Sequence, residues 1–449
     1  MSDLLGIGSS ALRAYQTALS AVGENVANAQ TPGYARRRVV LQELSTATVG
    51  DIGYKPQMSF NGVTAAGVTR AWDNFKAAEA RFSATADGRA SVRQQWLSGI
   101  ETALNDGAAG VGSAMTGFFN AAAALGSNPG DTLGRRSVLS SLDNVASAFR
   151  TSGQALARLS DGIGQAADIE VASLNDALKA LNEVNGALGP AAANGSARAS
   201  LEDQRDQLID FIAAKIDINV TPGEDGRVTV TSASNAGVSL LSGSGPSLVV
   251  LVKAADGRLS LQVQTNGTTV PLPAAGGKLA GLVDVAQNVA DRRAQLDSLA
   301  TDFSAMVNNW SAGGVDANGN PGAALMSATG GATSVQSLVT DPALVAAASP
   351  SGTANGNLLA LDGVRDASGV EDRWSVIVSA NAQTLASATA EASAAAAWKS
   401  NSYAALDEVS GVDLDTEAAE LLRFQQAYNA SARIIQVARE TIQALFDAL

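Results

Sequence analysis

Apolar residues recur every seven positions at both ends of this chain, and these repeats constrain its fold more than any other feature. From Leu5 the apolar positions follow a 4-3 spacing, which places them on one face of a helix. The same spacing begins again at Leu414, close to the other end. Neither segment has an apolar neighbour in sequence to cover it, and a lone helix of this kind is marginal in water. We therefore predict that the two helices pair with each other or with other subunits.

The first repeat stops at a turn signal. The residue before a proline is pushed out of the helical region, so Thr31-Pro32 predicts the helix end, and Pro32-Gly33 fits the central positions of a type II turn. Three arginines, Arg36 to Arg38, follow. A nucleic-acid-binding arm would need a basic module behind it, whereas the chain has a formal net charge of -13. The arginines are predicted to pair with acids on another helix or subunit.

The composition removes most enzyme chemistries. The chain contains no histidine and no cysteine, so it lacks the commonest general base, thiolate nucleophiles and the usual zinc ligands. Aromatic residues make up 4%, which favours close-packed helices over a large aromatic-lined pocket. No stretch supplies the roughly 18 apolar residues of a membrane span, and the first residues lack the positive start of a cleaved signal peptide. We expect no contact with membranes or nucleic acid.

Three motifs resemble ligand sites but lack the context that those sites need. Gly6 to Ala11 matches G-x-G-x-x-A, yet no strand precedes it. The segment from Asp316 begins like a calcium loop, but Pro321 and Ser327 occupy the positions that require glycine and glutamate. Asp203 and Asp206, three apart on a helix beside an arginine, are more typical of a solvated or ion-paired face than of acid–base catalysis. The sequence predicts no catalytic residue, metal or cofactor.

The middle of the chain alternates between periods of 3.6 and two. Short strands are predicted over 36–75, an Ala-rich helical hairpin over 76–192, and a helix over 201–214. Alternating residues between Ile216 and Val263, divided by Asp-Gly turns, predict short antiparallel strands. A helix follows, with apolar positions from Leu282 to Trp310, then an irregular stretch to about Arg373 and a last Ala-rich helix to about Leu406.

The predicted fold is mainly α with an inserted small antiparallel β domain. We predict three domains: residues 1–40 with 408–449 as a terminal helical coiled coil, residues 41–214 with 276–407 as a long-helix bundle with short strands, and residues 215–275 as the β domain.

The two ends also carry a family resemblance. "IGSSALRAYQTALSAVGENVANAQTPGYARRRVVLQ" resembles the N-terminal signature of bacterial flagellar axial proteins, in which Asn25, Asn28, Thr31, Pro32, Gly33 and Tyr34 match the pattern. The sequence of this turn, with the arginines that follow it, is most similar to that of the hook-associated protein 1 family. "GVTRAWDNF", "DQRDQLIDFIAAKIDINV" and "GVDLDTEAAELLRFQQAYNASARIIQVARETIQALF" resemble further segments of that family.

The resemblance implies an elongated subunit with paired N- and C-terminal helices. It implies a structural, non-enzymatic part of the flagellum that forms a ring at the hook–filament junction and is a monomer before assembly. Its implied partners are further copies of itself, the hook subunit, a second junction protein and an export chaperone on the C-terminal helix. The implied location is extracellular, after type III export without a cleaved signal. Another axial subunit of hook, rod or filament type stays open as an alternative, as does a surface adhesin.

The repeats, the turn and the resemblance together give a predicted assembly interface. Its residues are Leu5, Leu12, Tyr15, Leu19, Val22, Asn25, Val26, Asn28, Thr31, Pro32, Gly33, Tyr34, Leu414, Leu421, Leu422, Phe424, Gln425, Tyr428, Ile435, Ile442 and Leu445. Because no neighbouring segment is expected to bury the two repeats, we predict that both ends of the free monomer are largely unfolded and sensitive to proteases.

Overall fold

The computed structural model describes residues 2–46, 59–265, 267–273 and 275–447. Helices account for most of the described residues. Their bounds are α1 (Ser2–Asn28), α2 (Asn74–Leu104), α3 (Val111–Leu125), α4 (Thr132–Leu188), α5 (Ser196–Lys215), α6 (Gly277–Ala312), α7 (Gly356–Ser368), α8 (Val370–Ser410) and α9 (Leu414–Asp447). Among the described residues, no helix combines the length and the apolar character needed to cross a bilayer.

The strands form four small sheets whose assigned pairings are antiparallel. A long hairpin joins β1 (Arg37–Thr46) to β2 (Ser59–Arg70), with Arg37 directly opposite Arg70. A four-stranded sheet follows the order β3-β4-β5-β6 and a three-stranded sheet the order β7-β8-β9. Their bounds are β3 (Ile218–Pro222), β4 (Val228–Ser232), β5 (Ser239–Ser242), β6 (Gly245–Pro246), β7 (Leu248–Lys253), β8 (Leu259–Thr265) and β9 (Thr268–Pro271). The pair β10 (Met326–Ser327) and β11 (Gln336–Ser337) is short.

The chain divides into two compact units. Unit 1 comprises Met1–Thr85, Leu174–Leu248 and Ala396–Leu449. Unit 2 comprises Ala86–Ser173 and Val249–Ala395. The predicted β domain therefore contributes its four-stranded sheet to unit 1 and nearly all of its three-stranded sheet to unit 2. The three-domain division stays a prediction.

Unit 2 is built around an aromatic cluster. The rings of Phe118 and Phe303 have centroids 5.9 Å apart and lie edge to face, as do those of Phe118 and Trp310 at 6.1 Å. Phe149 lies 6.2 Å from Phe303. Edge-to-face pairs add to the free energy gained by burying the rings. Four aromatic side chains are therefore packed together where α3, α4 and α6 meet.

Several sequence predictions are confirmed at residue level. The predicted apolar row of α6, from Leu282 to Trp310 at 4-3 spacing, is buried. The predicted alternation also holds in β4, where Val228 and Val230 are buried, and in β8, where Leu259, Leu261 and Val263 are buried.

Two boundaries were predicted wrongly. The stretch expected to be irregular up to about Arg373 contains α7, and α8 begins at Val370; Gly369, at φ +57°, separates the two helices in the left-handed conformation that ends many helices. The helical hairpin expected over 76–192 contains a third helix, α3. A loop that includes Asn105 at φ +41° divides α2 from α3.

The turn after α1 has the predicted type, although the helix ends earlier than Thr31. The last helical residue is Asn28. The amide of Tyr34 donates to the carbonyl of Thr31 at 3.2 Å, and Gly33 has φ +73°, as position three of a type II turn requires. Gln207 of α5 covers the turn by donating from Nε2 to the carbonyl of Pro32 at 3.0 Å.

Replacing Gly33 by alanine should destabilise unit 1 by about 1–2 kcal/mol. The new Cβ would lie 2.5 Å from Cγ of Gln207, at a positive φ that a side chain disfavours. The matched control is Gly23→Ala in α1, where a Cβ would meet open space. Alanine there should stabilise the helix by up to about 1 kcal/mol. Urea denaturation measures both variants, and shifts of the same sign would contradict this account of the turn.

Candidate assembly interface

Five residues of unit 1 connect the end of α1, the start of β1 and the first turn of α9. We call Asn25, Tyr34, Arg36, Arg37 and Glu417 the terminal joint. Asn25 and Glu417 are each 1% exposed, although both are polar. Buried polar groups are costly unless they are hydrogen-bonded, so the arrangement of their partners decides whether the joint is stable.

The amide of Asn25 makes all four hydrogen bonds available to it. Nδ2 donates to the carbonyl of Arg37 and to Oε2 of Glu417, each at 2.9 Å. Oδ1 accepts from the amide of Arg37 at 2.8 Å and from the hydroxyl of Tyr34 at 2.9 Å. An asparagine amide has two donor hydrogens and one oxygen with two lone pairs, so its capacity is filled. No other side chain of similar size could satisfy the same four partners.

Glu417 ties α9 to both other elements of the joint. Its Oε1 accepts from Nε of Arg36 at 2.6 Å, while Oε2 accepts from Asn25. The amide of Arg36 also donates to the carbonyl of Ser410 at 2.8 Å, just before α9 begins. A carboxylate in the first turn of a helix is favoured by the helix dipole, which adds to these charge-assisted bonds. The start of α9 is therefore fixed against β1.

From the joint, α1 and α9 run antiparallel. Three contacts have a nearly constant sum of residue numbers, which is the mark of an antiparallel pair. These contacts are the closeness of Gly8 to Ile435, the Tyr15 and Phe424 rings with centroids 6.3 Å apart, and the hydrogen bond from Asn25 to Glu417. The predicted pairing of the terminal helices is confirmed within one chain.

The most buried row of α1 consists of alanines rather than leucines. Ala11, Ala14, Ala18 and Ala21 are buried at 3-4 spacing, and Asn25 continues the row. On one side of this row, Gly8 and Tyr15 contact α9. Ile7, which begins the row, and Ser10 on its other side lie against Gly62 of β2. Small side chains let the hairpin approach the helix closely. The leucine repeat is displaced toward the α9 side, and its members are half-buried.

The structure places the predicted interface residues in three environments. Buried or half-buried are Leu5, Leu12, Tyr15, Leu19, Val22, Asn25, Asn28, Tyr34, Leu421, Phe424, Tyr428, Ile435 and Ile442. Exposed in the turn are Thr31, Pro32 and Gly33, and exposed on the helices are Val26, Leu414, Leu422, Gln425 and Leu445. Leu449, the last position of the C-terminal repeat, lies outside the described residues. The expectation that nothing local buries the first repeat was wrong, because the hairpin of β1 and β2, which follows α1 in sequence, covers one side of it. The unfolding of both ends in the free monomer stays a prediction.

A second apolar face of α9 is turned away from α1. In the described part of α9, three residues are buried: Glu417, Ser431 and Ala438. By helical spacing, the exposed side chains Leu422 and Val437 lie on the other side of the helix from these, and exposed Ile434 flanks Val437. Leu445, seven residues after Ala438, continues the buried row instead. Val437 is 59% exposed and Leu422 58%. We call Leu422, Ile434 and Val437 the outer face of α9. Exposed apolar patches of this kind mark interaction surfaces.

Sequence reasoning found part of the joint. It expected the arginines to pair with acids on another helix, which is confirmed for Arg36 with Glu417 and for Arg37 with Asp203. It assigned no partner to Glu417. It also missed the alanine row. The 3-4 spacing of these alanines is visible in the sequence, but alanine is less hydrophobic than leucine, so the leucine repeat gives the stronger signal.

Comparison with known proteins identifies the chain. A family profile described as the flagellar hook-associated protein FlgK helical domain matches residues 97–326, just over half of the chain. The chain belongs to the FlgK family. Two other profiles match its ends: Flagella basal body rod protein at residues 5–34, and Flagellar basal body rod FlgEFG protein C-terminal at residues 405–448.

Named relatives agree with this assignment. The chain is 27% identical to flagellar hook-associated protein 1 of Escherichia coli over 339 residues, covering 72% of this chain and 59% of that protein. It is 24% identical to flagellar hook-associated protein 1 of Bacillus subtilis, covering 98% of this chain and 96% of that protein. The match to the E. coli relative thus spans less than two thirds of that protein's length.

A solved structure shares the fold. It is the flagellar hook junction protein FlgK from Burkholderia pseudomallei, with a TM-score of 0.50 and 22% identity. The similarity covers 55% of this chain and 46% of that one.

Replacing Asn25 by aspartate should destabilise unit 1 by about 3 kcal/mol or more, because it places a second carboxylate beside buried Glu417 and removes both donors. The matched control is Asn28→Asp. Asn28 is half-buried and donates within its own turn, to the carbonyl of Glu24 at 2.9 Å. That change should cost less than about 1 kcal/mol. Urea denaturation compares the two, and equal losses would show that the joint does not anchor the helices.

A second prediction for the joint concerns pH. Burial raises the pKa of Tyr34 to about 12 from its ordinary value of 10.0, against the opposing effect of Arg37. The folded chain therefore holds this proton more tightly than the unfolded chain. The resulting stability is complete below about pH 10 and is lost as the pH rises toward 12. In Tyr34→Phe, ultraviolet titration of tyrosinate should lose one component near pH 12, and the unfolding free energy should fall less steeply over this range.

Burial likewise raises the pKa of Tyr403 to about 12, with a further rise from Asp210. Tyr403→Phe is therefore the control, and it should remove a second late component. If the total absorbance change near pH 12 is the same in Tyr34→Phe as in the unchanged chain, the hydroxyl of Tyr34 is not held in the joint.

Proposed function

We propose that this chain is a structural, non-enzymatic component of the bacterial flagellum that forms the junction between hook and filament, assembling as a ring through its terminal helices. The observation that carries the proposal is the outer face of α9. This helix uses one face to pair with α1 and exposes a second apolar face, so one chain cannot bury both.

The comparisons support the junction over other flagellar positions. Relatives aligned along most of this chain are named flagellar hook-associated protein 1, and the FlgK helical-domain profile covers the middle of the chain. The rod-type profiles match the terminal segments alone. Those end matches favour the alternative of another axial subunit, which would polymerise at length. Electron microscopy of the assembled protein separates the two, since a junction protein gives short caps on hook ends and a rod or hook subunit gives long tubes.

The proposed partners are those that the family resemblance implies, and the outer face of α9 is a surface that they could cover. Further copies of this chain, the hook subunit and a second junction protein would cover the terminal helices in the assembled flagellum, at an extracellular location. Before assembly the chain would be a monomer whose outer face of α9 is held by an export chaperone, and it would leave the cell without a cleaved signal. The twenty-one predicted interface residues remain a prediction for contacts between subunits.

Location in the cell tests the proposal directly. In cells that stop after hook completion, antibody labelling should place the protein at the hook tip. Label confined to the cytosol or to the rod would refute the junction role.

A charge on the outer face should block assembly without unfolding the monomer. Val437→Glu changes a side chain that is 59% exposed, so the monomer should keep its circular dichroism spectrum and stability within about 0.5 kcal/mol. The matched control is Ile169→Glu on α4, at a residue that is 69% exposed. Labelling of hook tips should be lost for Val437→Glu and kept for Ile169→Glu. Normal incorporation of Val437→Glu would remove the outer face from the interface.

A further inference from the structure

The hairpin of β1 and β2 has two arginines at opposed positions, whose repulsion should separate the strands. Arg37 and Arg70 are directly opposite each other in the antiparallel register. Like charges at opposed positions of a two-stranded ribbon repel and are destabilising. Both strands are nevertheless paired up to this end. Some other charge must therefore offset the repulsion.

Asp203 of α5 supplies that charge. Its Oδ1 lies 2.7 Å from Nε of Arg70, and its Oδ2 lies 3.7 Å from Nη2 of Arg37. Asp203 is 4% exposed, and burial raises its pKa against the opposing effects of Arg70 and Arg37. The carboxylate bridges the two opposed guanidinium groups in a site nearly closed to solvent, where screening by salt is weak.

Arg70 and its neighbour Arg81 have additional acids on α5. Arg70 Nη1 lies 2.9 Å from Asp206, and Arg81 contacts Asp206 at 3.2 Å and Asp210 at 2.6 Å. Asp203, Asp206 and Asp210 share one face of α5 by their spacing. Arg37 is in a different position, because its second acid, Glu24, is 45% exposed at its side chain. Asp203 is the buried acid that Arg37 contacts.

Arg37 is also the residue of the hairpin to which Asn25 is hydrogen-bonded. Both its amide and its carbonyl are hydrogen-bonded by Asn25, at 2.8 and 2.9 Å. Asn25 in turn donates to Glu417, which fixes the start of α9. A continuous set of contacts thus runs from Asp203 through Arg37 and Asn25 to Glu417, all within unit 1.

We propose that Asp203 is a positioning residue for the terminal helices. By holding Arg37 opposite Arg70, it fixes the backbone of residue 37, to which Asn25 is hydrogen-bonded, and so fixes the register of α9 against α1. This inference rests on the proposed function for its biological meaning, since the outer face of α9 is the proposed assembly surface. Its physical content concerns the single chain and is tested there.

Hydrogen–deuterium exchange on the full-length, unassembled chain tests the coupling. Asp203→Asn removes the bridging charge at nearly constant volume. Exchange should rise on the order of tenfold or more at the hairpin end, residues 35–41 and 67–72, and also at residues 411–420, which lie beyond any contact with Asp203. The matched control is Asp210→Asn, on the same face of α5 but paired with Arg81 on α2. Its effect should stay within α2 and α5.

A second variant guards against general loss of structure. In Asp203→Asn with Arg37→Gln, the opposed like charges are gone while the backbone of residue 37 remains. Exchange at residues 411–420 should then return toward that of the unchanged chain. The proposal is overturned if the double variant exchanges as fast as the single one, if Asp210→Asn acts equally at 411–420, or if 411–420 exchanges freely in the unchanged chain.

The cellular assay separates this inference from the proposed function. Exchange reports on the monomer, whereas hook-tip labelling reports on assembly. A chain absent from hook tips that still shows the exchange pattern would refute the junction role alone. A chain present at hook tips without the pattern would refute the positioning role alone.

Discussion

The buried amide of Asn25 is the interaction on which the terminal part of unit 1 depends. It joins residues far apart in sequence, since its partners lie in the following turn, at the start of β1 and on α9. A polar network in a low-dielectric site is stabilising only when every member is satisfied, and strongly unfavourable when one is missing. The joint therefore contributes more to selecting one arrangement of the two helices than to the free energy of their association. It favours one register of α9 against α1, because a shift of one residue would leave one donor of the Asn25 amide and the Glu417 carboxylate buried without partners.

Small side chains make this geometry possible. A leucine row in the centre of α1 would hold the hairpin away from the helix, and Asn25 could not then reach the backbone of Arg37. The alanine row permits a close approach, and Gly62 completes it: a Cβ there would lie 2.2 Å from Oγ of Ser10. Alanine contributes less burial than leucine, so the contact gains little hydrophobic free energy per residue. The closeness instead brings the polar groups within hydrogen-bonding distance.

Sequence patterns predicted the features that depend on neighbours in the chain. The buried row of α6, the alternation of β4 and β8, and the left-handed Gly33 all follow from local spacing or turn chemistry. The terminal repeats also predicted that α1 and α9 pair. What local reasoning could not supply is the partner of each buried polar group. Glu417 and Asn25 are 392 residues apart, and Asp203 looks like an ordinary helical surface acid until two strands place arginines over it. The expected ion-paired face of α5 was therefore right in kind, while its burial was not foreseeable.

The two faces of α9 differ in a way that bears on assembly. Toward α1, the first turn is fixed by charged, geometrically specific bonds at Glu417, and further along the contacts are half-buried apolar side chains such as Phe424 and Ile435. Away from α1, the outer face exposes the apolar side chains Leu422, Ile434 and Val437. Apolar contacts are non-directional, so the outer face alone would accept many partners in many registers. Because the first turn of α9 is fixed at Glu417, the outer face is held in one orientation. On the proposed function, the polar joint thus gives the assembly its geometry, and the outer face gives it most of its free energy.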